Sequence, residues 1–215
     1  MTNATYQKIP METTEGSKII VKPSNSYSGK GITIMENPYF DSDRFKYACD
    51  KAKENSADGD YVLQRFIQGD LLSYSIFSTP KTTLTSPLIQ ETVNENHKVY
   101  TSRLADVRAV VRSQKELLTK KITEYIGSGY WFLHIQFMWC EEDGNAYVLD
   151  CAGRCPGDFY GCLVEQSSGF NYYANYGAVF SNGALDDVGL ETNDGNLIRE
   201  TLYNFNDNRS VGFDL

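Results

Sequence analysis

Apolar and polar positions alternate early in the chain. Lys18 to Pro23 reads KIIVKP, a β-branched run closed by proline, and Ile32 to Glu36 reads ITIME, so two short strands flank the polar loop SNSYSGKG. Asp41 is placed to cap a helix in which Phe45, Ala48, Cys49 and Ala52 recur at three- and four-residue intervals. Asp58-Gly59 then turns the chain into YVLQRFI, a further strand. The order β-β-α-β predicts a small lobe over residues 1–68. After Gly69 the runs LLSYSIFS, LTSPLIQET and KVYTSRLADVRAVV predict antiparallel strands, with Pro80 and Pro87 near turns or edges, in a larger lobe over 69–215.

Ser113 to Glu116 has the spacing of a capping box, and Leu117, Leu118, Ile122, Tyr125 and Ile126 supply the apolar stripe of a helix that stops at Gly127. Tyr130 to Cys140 and Asn145 to Cys151 flank Glu142-Asp143-Gly144-Asn145, whose Asp-Gly pair signals a hairpin. A turn centred near Asp143 sets Gln136 opposite Asp150, with both side chains on one face. From Phe159 two helical stretches follow, broken at Gly169 and near Asn182-Gly183, and the tail after Gly189 is polar. The fold class predicted is α+β, in two lobes built on antiparallel sheets.

Composition narrows the functional classes. A net charge of −8 without a compensating Lys/Arg run argues against nucleic acid as a partner. No segment approaches the roughly 18 uninterrupted apolar residues that span a bilayer, and the polar start carries no secretory pattern, so the expected location is cytoplasmic, with no membrane partner. The 5 cysteines stand at irregular spacings, which fits reduced thiols better than a disulfide framework or a zinc knuckle. His97 reads as a surface residue and His134 as a strand residue, structural or phosphate-facing. Neither lies in a nucleophile motif.

Candidate chemistry begins in the loop Ser24 to Gly31, where small side chains, two glycines and Lys30 suit phosphate cradling through backbone N–H groups. It is not a Walker A motif, because Gly31 follows Lys30 where Ser or Thr is required. By itself the loop reads better as a flexible hairpin connection with an incidental lysine. Three segments in order, IIVKPSNSYSGKGI, YVLQRFIQGD and HIQFMW with GNAYVLDCAGRCPGD, resemble the nucleotide-binding half of the ATP-grasp superfamily over roughly residues 8 to 175. That family includes carbamoyl-phosphate synthetase, biotin carboxylase and D-alanine–D-alanine ligase. Its members hold ATP between two α+β lobes and activate a carboxylate as an acyl phosphate, which an amine or other nucleophile then attacks.

The resemblance implies ATP and Mg²⁺ (or Mn²⁺) as cofactors. It places Lys22 on nucleotide phosphate and the adenine edge, Ser28, Gly29, Lys30 and Gly31 in the phosphate lid, and Gln64, Arg65, Phe66 and Ile67 at the hinge whose backbone reads adenine. Leu149 joins the nucleotide contacts, and Gln136, in the carbamoyl-phosphate synthetase manner, pairs with Asp150 as metal ligand. Arg154 takes the catalytic position that holds the transferring phosphoryl group or the substrate carboxylate, and Pro156-Gly157-Asp158 matches the substrate turn. The sequence departs from the pattern at three places. Asp70 lies one position before the expected ribose carboxylate, where Leu71 stands; Asp150 replaces glutamate; and Ala152 replaces a ligand asparagine, which implies weaker metal binding, more waters in the shell or a part for Asp158.

Family members also begin with an α/β substrate domain. The chain is therefore expected to be a fragment of an ATP-dependent carboxylate–amine or carboxylate–thiol ligase that lacks its N-terminal domain and is inactive alone. Its expected partners are ATP, a carboxylate substrate and that domain, and a homodimer is an admissible assembly. The competing expectations are a non-catalytic nucleotide-binding module or degenerate ATP-grasp protein, and a structural β-rich interaction domain.

Overall fold

The computed structural model describes residues 18–26, 29–36, 42–94, 98–187 and 197–201. Asp41, with its expected helix cap, and His97 lie outside them. The chain divides into two compact units, Met1–Ile67 with Glu95–Lys98, and Gln68–Asn94 with Val99–Leu215.

In the first unit β1 (Lys18–Pro23) is the central strand of an antiparallel sheet, with β2 (Thr33–Glu36) on one side and β3 (Tyr61–Arg65) on the other. Period-two alternation sorts β1: Ile19 and Val21 are buried on the face covered by α1 (Ser42–Glu54), together with Met35, Ala48, Cys49 and Ala52. Ile20 and Lys22 therefore lie on the other face, where their cross-strand partners are Gln64 and Val62.

The second unit is built on a sheet of order β10-β7-β6-β4-β8-β9, with β5 (Thr83–Thr85) paired to β4 alone. The strands are β4 (Asp70–Ser78), β6 (Ile89–Val93), β7 (Val99–Leu104), β8 (Trp131–Cys140), β9 (Asn145–Ala152) and β10 (Ile198–Glu200). Leu72, Tyr74, Ile76, Ile135, Phe137 and Trp139 form a core under α2 (Ala109–Ile126). On the opposite face Phe77, Ile89 and Phe132 pack with Tyr160, Leu163, Val164, Tyr172 and Val179 from α3 (Tyr160–Ser168) and α4 (Tyr172–Ser181). The sheet is thus sandwiched, and on this second face of β4 and β8 Phe77 and Phe132 stand beside the polar Ser73, Ser75, His134 and Gln136. Gly69 leaves no room for a side chain, since a Cβ there would come within 2.0 Å of the Trp139 carbonyl oxygen.

Four sequence expectations need correction. The run KVYTSRLADVRAVV is a strand only to Leu104, and its valines open α2 at Ala109. Ser113 is consequently inside the helix, and the helix starts after an extended Arg108 that provides no side-chain cap. The added turn buries Val111, which with Leu118 and Ile122 makes the stripe facing the sheet. Leu117, Ile126 and Tyr125, the last 92% exposed, lie outside that stripe. Finally, LTSPLIQET is broken at Pro87 into β5 and β6, because proline cannot donate to the ladder. The stops at Gly127, Gly169 and Asn182 agree with the sequence, and all three residues have positive φ. Among the described residues no helix is long and apolar enough to cross a membrane, and the cysteines are free.

Candidate functional site

In the first unit the loop after β1 is held at its base. The Ser24 hydroxyl donates to the Asp58 carboxylate, Ser56 Oγ reaches the same oxygen at 2.5 Å, and the Asp60 N–H donates to it at 3.1 Å. These bonds from Ser24, Ser56 and the backbone lower the Asp58 pKa to about 2. A depressed carboxylate favours the folded form above its unfolded pKa, so this clasp persists until the pH falls through about 2. Beyond it Gly29 and Gly31 have φ of +68° and +74°, with exposed Lys30 between them. A Cβ at Gly31 would come within 2.8 Å of Asn55 Cβ and Pro23 Cγ, so both dihedral and space require glycine. Ser28 lies outside the described residues. At the end of β3, Gln64 and Arg65 remain in the sheet, and the Phe66 N–H donates to the Lys18 carbonyl at 3.0 Å. That N–H is taken by the ladder, so reading of an adenine edge would fall to other backbone groups of this segment.

In the second unit the hairpin of β8 and β9 pairs Gln136 with Asp150, as the turn predicts, but by an indirect route. Next to the Glu141–Gly144 turn the register pairs Cys140 with Asn145 and Phe137 with Val148, one residue out of step with the pair beyond. Leu149 is the extra residue of a β-bulge that restores the step. Without the bulge, strict alternation from Tyr147 would aim Asp150 at the α2 side. With it, Asp150 lies on the same face as Gln136 and Ser73.

That face carries a polar row running across the strands: Arg199, Ser102 and Glu91 in one line, then Ser73, Gln136 and Asp150 in the next. Glu91 is only 6% exposed. Its Oε1 accepts from Ser73 Oγ at 2.7 Å, and its Oε2 accepts from Gln136 Nε2 at 2.6 Å. Burial raises its pKa, opposed by those two hydrogen bonds and by the charge of Arg199. Ser73 Oγ also meets Tyr160 OH at 3.0 Å, and Arg199 donates to Ser102 Oγ at 2.7 Å and to the Asp158 carbonyl at 3.0 Å. Asp158 and Phe159 are both left-handed without being glycine, so the turn after β9 is strained and is held in part by Arg199. Arg154, exposed at the start of that turn, donates to the Cys155 carbonyl at 3.3 Å.

Glu91, Ser73, Tyr160 and Arg199 are absent from the sequence-based site, although serines alternating with apolar residues in LLSYSIFS were a usable signal of a polar face. His134 is structural. Its Nδ1 is 3.1 Å from Ser75 Oγ, its ring packs edge-on against Tyr160, and burial, aided by the charge of Arg154, lowers its pKa to about 3. Asp70 falls away from the group. Alternation along β4 places it on the opposite face from Ser73 and Gln136, where Gln90 Nε2 donates to it at 3.4 Å, while Leu71 occupies the site face.

Gln136 and Asp150 offer an amide carbonyl and one carboxylate, hard oxygen donors suited to Mg²⁺. Among the described residues no cluster of three or more His, Cys, Asp or Glu side chains forms a metal cage. The donor set therefore fits an ion that completes its shell with waters and phosphate oxygens, and does not fit one held by protein alone.

No family model and no curated protein matches this chain by sequence. Solved structures do match in fold. The biotin carboxylase domain of Hydrogenobacter thermophilus 2-oxoglutarate carboxylase, crystallised with MgADP, ADP and bicarbonate, matches with TM-score 0.67 and 16% identity over 82% of this chain and 39% of that one. Carboxyaminoimidazole ribonucleotide synthase from Aspergillus clavatus, complexed with ATP, matches with TM-score 0.65 and 13% identity, over 81% of this chain and 44% of that one. An L-amino acid ligase from Bacillus licheniformis matches with TM-score 0.56 and 16% identity, over 72% of this chain and 36% of that one. The chain has the ATP-grasp fold, an α+β architecture. It spans less than half the length of each of these three proteins.

Proposed function

We propose that this chain binds ATP together with Mg²⁺ or Mn²⁺, as the nucleotide-binding part of an ATP-dependent ligase that activates a carboxylate as an acyl phosphate. The observation that carries the reading is the bulge at Leu149, which turns Asp150 onto the face of Gln136 on an ATP-grasp sheet. An amide and a carboxylate directly opposite each other are a small donor set that phosphate oxygens would complete. Solved relatives of this fold carry ADP or ATP, one of them with magnesium.

In this reading the units contribute separately, the residues up to 68 forming the smaller lobe and those from 69 the larger. Lys22 and Lys30 supply point charges for phosphate, and the Gly29–Gly31 backbone closes over it. Arg154, whose planar fork matches an oxyanion, holds the phosphoryl group or the carboxylate that attacks it. Attack of the carboxylate oxygen on the γ-phosphorus expels ADP, and a nucleophile then displaces phosphate from the acyl carbon. A bound cation would neutralise charge on the phosphate oxygens. Lys22→Ala should weaken ATP binding by ~1.5 to 3 kcal/mol through loss of a charge-assisted contact, measured calorimetrically. Equal affinities of mutant and wild type would remove the β1 strand from the nucleotide site.

A second reading, nucleotide binding without ligation, is favoured by Ala152 and Leu71, which put apolar side chains where the family pattern has an asparagine and a carboxylate. Incubation with ATP, Mg²⁺ and pooled carboxylates and amines, with a search for ligated masses, separates the two.

A further inference from the structure

We infer that Glu91 is a positioning residue that fixes the orientation of the Gln136 side-chain amide, so that the carbonyl oxygen and not the NH₂ group is presented beside Asp150. The inference rests on the nucleotide–cation reading above for its function, though not for its geometry.

A glutamine at a cation site carries a liability that a carboxylate does not. Its two ends are nearly isosteric, and only one of them can ligate a cation; the other donates hydrogen bonds and repels it. A freely rotating amide would present the wrong group for part of the time, and its orientation is decided by its partners. Here the partner is the Glu91 carboxylate. An ionised carboxylate only accepts, and Glu91 Oε2 lies 2.6 Å from Gln136 Nε2.

The direction of that bond matters as much as its existence. Glu91 stands on β6, two strands to one side of β8, while Asp150 stands on β9, directly across on the other side. Turning the NH₂ group toward Glu91 leaves Oε1 on the side of β9 and Asp150.

Glu91 is itself held. Ser73 Oγ occupies its Oε1 at 2.7 Å and is backed by Tyr160 OH at 3.0 Å, while Arg199 contributes charge from β10. The carboxylate is buried and engaged on both oxygens, so it is poorly placed to ligate an ion directly. Burying it is unfavourable without such partners. Outer partners of this kind typically change metal affinity 10- to 100-fold when removed.

The test uses the full chain. In wild type labelled with ¹⁵N and ¹³C, the Gln136 NH₂ protons, assigned by their loss in Gln136→Leu, should exchange slowly with solvent. On titration with Mg²⁺·ATP the Gln136 Cδ resonance should move while those protons stay protected. Solvent-like exchange of the Gln136 NH₂ in wild type overturns the inference. In Glu91→Gln the protection should collapse, and the gain in ATP affinity on adding Mg²⁺ should drop about 10-fold, with affinity measured in EDTA unchanged. Exchanging the pair, Glu91→Gln with Gln136→Glu, should restore the gain, because the new amide donates to the new carboxylate and leaves its second oxygen beside Asp150. Equal losses with and without Mg²⁺, or no restoration by the exchange, would make Glu91 a merely structural group. If wild type binds no nucleotide under either condition, the proposed function fails, and the exchange data alone then decide whether the amide is fixed.

Discussion

Tyr172→Ala should destabilise the protein by about 3 to 5 kcal/mol, read as a lower urea midpoint with little change in slope. Tyr172 is fully buried at the start of α4, and its ring meets Phe77, Phe132, Tyr160 and Tyr173 edge-on or nearly so, at centroid separations of 5.1 to 6.3 Å. Truncation removes the transfer energy of a large ring and leaves a cavity between the sheet and its helical cover. Part of the loss belongs to the hydroxyl, which meets Ser75 Oγ at 2.7 Å. Tyr172→Phe isolates that part and should lose only about 1 kcal/mol, because Ser75 keeps His134 as a partner. If the alanine variant lost no more than the phenylalanine variant, the helical layer would not be packed on this face.

His134 should make the protein acid-sensitive. Its pKa is lowered from 6.5 to about 3, by burial first and by the charge of Arg154 second. The unfolded chain therefore binds a proton in a range where the folded chain does not. The stabilisation is complete above pH 6.5 and is lost as the pH falls toward about 3. Glu91 has the opposite sign, since its raised pKa makes the folded form the better proton binder and its contribution fades as pH rises. Comparing wild type with His134→Gln separates the two, because glutamine keeps a partner for Ser75 and does not titrate. The drop in stability between pH 6.5 and pH 4 should be smaller in the variant by about 3 kcal/mol, measured by urea unfolding at each pH. Parallel profiles would mean that His134 is protonated, or solvated, in the folded protein.

Local chemistry was legible where one residue type decides the backbone. Asp143-Gly144 announced the hairpin, Gly127, Gly169 and Asn182 announced the helix ends, and the β-branched run in KIIVKP announced β1. The start of α2 was not legible, because VRAVV has strand-like propensity that burial of Val111 against the sheet overrides. The bulge at Leu149 leaves no mark in the sequence either: no glycine or proline sits there. Gln136 and Asp150 were found through their family resemblance and paired through the turn. Glu91 was not, since a single acid in IQETV reads as an exposed edge residue until α3 and β10, distant in sequence, close over it. Asp70 illustrates the converse, for a shift of one position along a strand sends a side chain to the other face.

Titration of the purified chain with ATP by calorimetry, once in Mg²⁺ and once in EDTA, bears most directly on cation-assisted nucleotide binding. Saturable binding that is at least several-fold tighter in Mg²⁺, with the difference reduced in Asp150→Asn, is the expected result. Absence of saturable binding at millimolar ATP, or identical affinity in Mg²⁺ and EDTA, would contradict it.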